Sequence, residues 1–130
     1  MTYVCSITLD LSYGDAVTRT REALAEQGFG VLTEIDVQAT MKDKLGQDME
    51  PYVILGACNP QLAHQALEID REIGALLPCN VVVREQDGGS TVLILDPQIM
   101  ATLPGRDELQ PVADEASRRM DAVLMSLRQG

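Results

Sequence analysis

Apolar and polar residues alternate along Thr2–Leu11, with Tyr3, Cys5, Ile7 and Leu9 on one side and Val4, Ser6, Thr8 and Asp10 on the other. A period of two in a β-rich stretch predicts a strand with its odd face inward. Cys5 then reads as a small core residue. The period changes after Ser12. Ala16, Val17, Thr20, Ala23 and Leu24 fall on one helical face, so Asp15–Gln27 reads as an amphipathic helix. Ser12 can cap its free N–H groups, Asp15 suits the positive end of its dipole, and Gly28 can end it at positive φ.

Phe29–Val37 reads as a second strand, with Phe29, Val31, Thr33 and Ile35 sharing one face and Glu34 and Asp36 on the other, solvated one. Gly30 would let a ligand approach the backbone closely. Gln38–Leu45 is a short helix stopped by Gly46, and Gln47–Pro51 a polar loop. Tyr52–Ala57 is almost continuously apolar, which predicts a central strand covered on both faces. Asn59-Pro60 opens a helix, since Asn is a preferred cap and Pro fits the first helical position. Leu62, Ala63, Ala66, Leu67 and Ile69 form its buried stripe, while Gln61, His64, Gln65 and Glu68 lie on the other side. Glu72–Leu77 is a short helical piece ended by Pro78. Asn80–Glu85 and Thr91–Leu95 are strands joined by the hairpin signal Gln86-Asp87-Gly88-Gly89. Gln98–Arg106 is a loop with at most one short turn. The tail, about 107–128, is a long amphipathic helix with Leu109, Val112, Ala113, Ala116, Met120, Val123, Leu124 and Leu127 at helical spacing. The order β-α-β-(short α)-β-α-β-β-α describes one α+β domain over residues 1–130, with no internal repeat and no linker long enough for a second.

A chain of 130 residues can bury a real core. One Phe, three Tyr and no Trp leave Val, Ile, Leu, Ala and Met to fill it. Twenty acidic residues against ten basic ones give a formal charge of −10. That balance argues against nucleic-acid binding, which needs a basic face, and against attraction to anionic lipid. The acidity favours solubility. The N-terminus lacks the basic and apolar regions of a signal peptide, and no stretch reaches the ~20 apolar residues of a membrane span. A cytoplasmic location is the resulting expectation, and Cys5, Cys58 and Cys79 are expected to be thiols.

Three strings occur in order, QGFGVLTEIDV at 27–37, ILGACNP followed by AH within 54–64, and LLPCNVVV at 76–83. On these the chain resembles the bacterial and archaeal domain of unknown function 302 family over most of residues 3–97, with a less distinctive C-terminal helix. The resemblance implies a compact α+β fold with a mainly antiparallel sheet of about five strands packed by two longer helices, and commonly a homodimer. It implies no known activity. Cys58, Asn59, Pro60, His64 and Cys79 stand at the family's characteristic positions, and Cys5 lies outside them.

The same span holds the densest cluster of reactive side chains. Cys58 precedes the helix capped by Asn59, where free N–H groups and the helix dipole would lower a thiol pKa. If the strands bearing Cys58 and Cys79 are antiparallel neighbours, both cysteines meet at one rim of the sheet. His64, about one and a half turns into the helix, would lean back toward that rim or point to solvent. Several roles stay open for Cys58, Asn59, His64 and Cys79 as ligand-binding residues. Cys58, His64 and Cys79 would form a Cys₂His set suited to zinc or copper, although Cys-x₅-His with a distant Cys is no standard finger. Cys58 could instead be a redox or persulfide-carrying nucleophile resolved by Cys79. Acyl transfer by a Cys–His pair would need an oxyanion hole that only the helix N-terminus could supply. The plainest reading is a binding or dimerisation module with packed cysteines, a surface His64, and methionines such as Met41, Met120 and Met125 as core filler. Metal or thiol chemistry requires the two sulfurs within about 4 Å of each other, or around one metal, and open to solvent. A structural role predicts sulfurs buried among apolar neighbours.

Overall fold

The computed structural model describes residues 2–129. Five strands, β1 (Val4–Leu9), β2 (Gly30–Asp36), β3 (Tyr52–Cys58), β4 (Cys79–Gln86) and β5 (Gly89–Leu95), form one sheet in the order β1-β5-β4-β3-β2. Every neighbouring pair is antiparallel. The helices are α1 (Tyr13–Glu26), α2 (Val37–Leu45), α3 (Pro60–Ile69), the one-turn α4 (Ile99–Thr102) and α5 (Gln110–Arg128), with 3₁₀ turns at Arg71–Leu76 and Asp107–Leu109. The architecture is α+β, and none of the described helices is long and apolar enough to cross a membrane.

Strand alternation decides where the core sits. Ile7 and Leu9, Val53, Leu55 and Ala57, Cys79, Val81 and Val83, and Val92 and Ile94 are all buried on one face. Onto that face α1 brings Ala16, Ala23 and Leu24, and α5 brings Val112, Ala113, Ala116, Met120, Val123, Leu124 and Leu127. Each fully buried Leu or Val contributes about 1.5–3 kcal/mol relative to exposure. The opposite face has no such cover. Ile54, Val82 and Leu93 stand side by side in the register and remain half-buried, with Ile35 exposed at the end of their row. The expectation that the Tyr52–Ala57 strand is central and covered twice is therefore corrected. β3 lies next to the edge, β4 holds the centre, and the outward-facing Tyr52 and Ile54 of β3 stay half-buried.

The turn chemistry follows the sequence closely. Ser12 Oγ accepts from the Asp15 N–H at 3.2 Å, and Gly28 has φ 82°. Asp87 and Gly88 both have positive φ, 52° and 82°, between the paired residues Gln86 and Gly89. That is the two-residue hairpin whose twist matches its strands. β2 departs from simple alternation. Its register shifts between Val31 and Thr33, so Val31 faces Ala57 on the helix side while Thr33 and Ile35 face Gly56 and Ile54 on the outer side. A bulge inserts one residue and moves every later side chain to the other face. Val31, Thr33 and Ile35 hence do not share a face. Glu34 and Asp36 turn to the helix side at the sheet edge, where Glu34 meets Arg21 at 2.9 Å and Asp36 caps α2 through the Ala39 N–H.

Candidate functional site

The rim of the sheet where β3 ends and β4 begins is set by the pairing of Ala57 with Cys79. Cys58, one residue on, is thereby brought beside the start of β4, as antiparallel pairing predicts. Cys58 is half-buried and Cys79 buried, and all three cysteines are unpaired. Two neighbouring features fix this rim. The peptide Leu77–Pro78 is cis, which turns the chain sharply into β4. Gly56 lies under that turn, and a Cβ there would fall 2.1 Å from Thr33 Oγ1 and 2.9 Å from Pro78 Cγ.

α3 leaves the rim at Asn59. The Asn59 Oδ1 accepts from the Leu62 N–H at 3.1 Å, and its backbone carbonyl accepts from the Ala63 N–H at 2.9 Å. Pro60 has no N–H to offer. Most of the positive end of α3 is thus already spent on Asn59 itself. This explains why the thiol of Cys58 is not acidified as its place before a helix suggests. Burial pushes the Cys58 thiol up from its ordinary value. Burial, with a smaller push from Cys58, raises the Cys79 thiol from 9.0 to about 11. The expected low-pKa thiolate is corrected to a pair of neutral thiols in an apolar setting.

Between this rim and the helices lies a pocket of about 20 Å³, room for about one water-sized group. Ala57, Cys58 and Cys79 form its sheet side, and Leu62 and Ala63 its α3 side. Met100 from α4, with Val112 and Ala116 from α5, close it from behind, and Phe29 and Leu77 complete the wall. Asn59 is its polar side chain, only 7% exposed. The wall is otherwise apolar. Gly28 makes the corner behind Asn59 possible, because a Cβ there would lie 2.9 Å from Asn59 Nδ2 and 3.0 Å from Arg119 Nη1. Arg119 is itself committed, its Nη1 donating to the Gln27 carbonyl at 3.1 Å and its Nε to Glu115 at 2.8 Å. Gly30, read as a place where a ligand could approach the backbone, has open space where a Cβ would stand.

His64 is not part of this cluster. Its side chain is 76% exposed and lies 3.6 Å from Glu68 on the outer side of α3. Among the described residues, no three of His, Cys, Asp and Glu converge where they could hold a metal ion. Cys58 and Cys79 share the rim while His64 stands apart on the outer side of α3, so in this arrangement the Cys58/His64/Cys79 set does not converge on one position for zinc or copper. The structure brings Cys58, Asn59 and Cys79 together and leaves His64 at the surface. Sequence reasoning missed Phe29, Met100, Val112 and Ala116 as pocket walls. Their periodicity marks them only as core.

No curated protein matches the chain. A crystal structure of an uncharacterised conserved DUF302 protein from Bacillus stearothermophilus is similar to it, with 27% sequence identity and a TM-score of 0.90, over 98% of this chain and 99% of that one. The family model described as Domain of unknown function DUF302 matches residues 5–127. The chain belongs to the DUF302 family.

Proposed function

We propose that this is a non-catalytic binding protein that receives a small apolar group in the rim pocket beside Cys58, Asn59 and Cys79. The observation that carries the reading is the apolar pocket itself, placed at a sheet rim and walled by side chains from six parts of the chain. Pockets that bind small molecules are mostly apolar with a few placed polar groups. Two neutral thiols add soft, weakly polar surface and no nucleophile at pH 7. The arrangement of His64 away from the cysteines supports neither acyl transfer nor metal chemistry. The test is an NMR titration with methane dissolved under pressure, a molecule close to water in size. Shifts are expected at Phe29, Leu62, Cys79 and Ala116, and Ala63→Leu should abolish them while the fold persists. Shifts scattered elsewhere, or none at the pocket, would contradict the reading.

The uncovered sheet face favours a second role, assembly, with another copy of this chain as its occupant. The row Ile35, Ile54, Val82 and Leu93 is apolar, and the charged strand residue on that face, Arg84, is already bound to Glu50 at 2.8 Å. A chain with a formal charge of −10 repels its own copies elsewhere, so a neutral patch is where they can meet. Five strands of about seven residues span roughly 550 Å² by strand spacing, a large part of the ~800 Å² per partner of a standard interface. Sedimentation of Val82→Glu beside the natural protein tests this. A dimer that becomes monomeric supports it, and a monomer in both overturns it.

A further inference from the structure

We propose that the free edge of β1 docks one extended segment of a partner protein, added antiparallel to the sheet and carrying a basic side chain where it passes Asp121. This surface is separate from the rim pocket and from the outer sheet face.

The two edges of the sheet are built differently. β2, at one edge, is interrupted by its bulge and carries Glu34 and Asp36. Bulges and charges are what keep a strand edge from pairing with another chain. β1, at the other edge, pairs with β5 in unbroken register over its 6 residues. Its sequence, VCSITL, has no charge, glycine or proline. The Asp96 N–H donates to the Tyr3 carbonyl at 2.9 Å, which sets the hydrogen-bonding phase. In an antiparallel ladder the main-chain groups of Tyr3, Cys5, Ile7 and Leu9 then point to β5, and those of Val4, Ser6 and Thr8 point away from the sheet. Thr2 Oγ1 already meets the Val4 N–H and carbonyl, at 3.4 and 3.0 Å. Ser6 and Thr8 are exposed, and each offers one donor and one acceptor at the spacing an incoming strand needs.

α5 runs beside this edge and supplies its charge. Asp121, Met125 and Arg128 recur at helical spacing and are all exposed. Burial first, and then the carboxylates of Asp96 and Asp121, raise the Cys5 thiol, which sets both acids near the Cys5 end of β1. Neither acid enters an ion pair among the described residues. At the Leu9 end a groove is lined by Ile7, Leu9 and Leu127, with Arg128 and Asp10 beside it. Those two charges offset each other, so this end suits apolar side chains. An antiparallel strand therefore fits with its apolar residues first and its base last, which fixes direction and register together. Backbone bonds supply the affinity of such an added strand, and the alternate side chains supply its specificity. A second copy does not meet these terms. Its own residues 2–11 contain no Lys or Arg, and it carries the same charge of −10.

The probe is a capped peptide, Thr-Val-Thr-Val-Thr-Lys-Thr, titrated into the full chain and followed by NMR shifts and amide exchange. Added antiparallel, it places its Lys beside Cys5 and its valines beside Ile7 and Leu9. The Ser6 and Thr8 amides are expected to exchange fast in the free protein and to become protected on binding. The peptide with Glu in place of Lys should bind at least about threefold more weakly, the worth of one exposed charge pair. The reversed peptide, Thr-Lys-Thr-Val-Thr-Val-Thr, should also bind more weakly. Asp121→Lys, at an exposed position, should reverse the preference between the Lys and Glu peptides. Ser6→Pro removes one outward N–H and should abolish binding of both. Should that variant fold poorly, the reversal in Asp121→Lys decides the matter. No protection of Ser6 and Thr8 by the Lys peptide, or equal affinity for the Lys, Glu and reversed peptides, would overturn the proposal. Slow exchange of both amides in the protein alone would show a second copy on this edge and overturn it too.

Discussion

Cys58 and His64 flank the first turns of one helix, yet they sit in opposite surroundings. The Cys58 side of α3 turns to the rim, where Leu62 and Ala66 are buried and the helix packs on α5. The His64 side turns to water, where the imidazole, Glu68 and Arg71 form an exposed polar string with contacts of 3.6 and 3.4 Å. Nearness along a chain brings reactive groups together only when helical phase agrees. Here His64 falls two residues after Leu62 and so about 200° around the helix from it. The thiols stay with the core, and the imidazole does not join them.

Substitutions on the two sides should differ accordingly. Leu62→Ala, on the rim side, is expected to cost about 3 kcal/mol in urea unfolding, since it removes a buried side chain and enlarges the pocket. A loss below about 0.5 kcal/mol would mean that the rim is not packed as described. Gly28→Ala should cost about 1–2 kcal/mol, from a φ of 82° that disfavours a Cβ and from its close approach to Asn59 and Arg119. Its thermal midpoint should fall, and an unchanged midpoint would place the corner elsewhere.

Cys79 gives a smaller effect, visible only in alkali. Its folded pKa of about 11 lies above the ordinary 9.0, so the folded state holds this proton longer than the unfolded chain does. The associated stability is present in full below pH 9.0 and is lost as pH rises through about 11. The natural protein should therefore lose stability across that window more steeply than Cys79→Ala. Parallel pH profiles would show that the thiol is not desolvated. His64→Ala is expected to change stability by less than about 0.5 kcal/mol, because an exposed i,i+4 pair contributes little. A larger loss would put His64 in contacts it does not make here.

The helix boundaries and turns were legible because their signals are local. Ser12, Asn59-Pro60, Gly46 and Asp87-Gly88 each impose a conformation on their own few residues. The meeting of Cys58 with Cys79 followed from two strand ends once their pairing was assumed antiparallel. The bulge in β2 was not legible, since Val31, Thr33 and Ile35 alternate as well without it as with it. Nor was the half-buried outer side of β3, because Ile54 looks the same in sequence whether a helix or a second protein lies over it. The pocket was hidden for a related reason. Phe29, Met100 and Ala116 satisfy the core pattern, and a core wall and a cavity wall share that pattern. The thiol pKa expectation failed on accounting, as Asn59 had already taken the N–H groups that would have stabilised a thiolate.

The most direct measurement of the central claim is a crystal of the protein held under xenon pressure. Xenon enters apolar cavities and avoids polar ones. The account predicts one ordered xenon between Cys58, Leu62, Cys79 and Ala116, with His64 far from it. A rim with no xenon, while other sites fill, would contradict an apolar binding pocket at the cysteines.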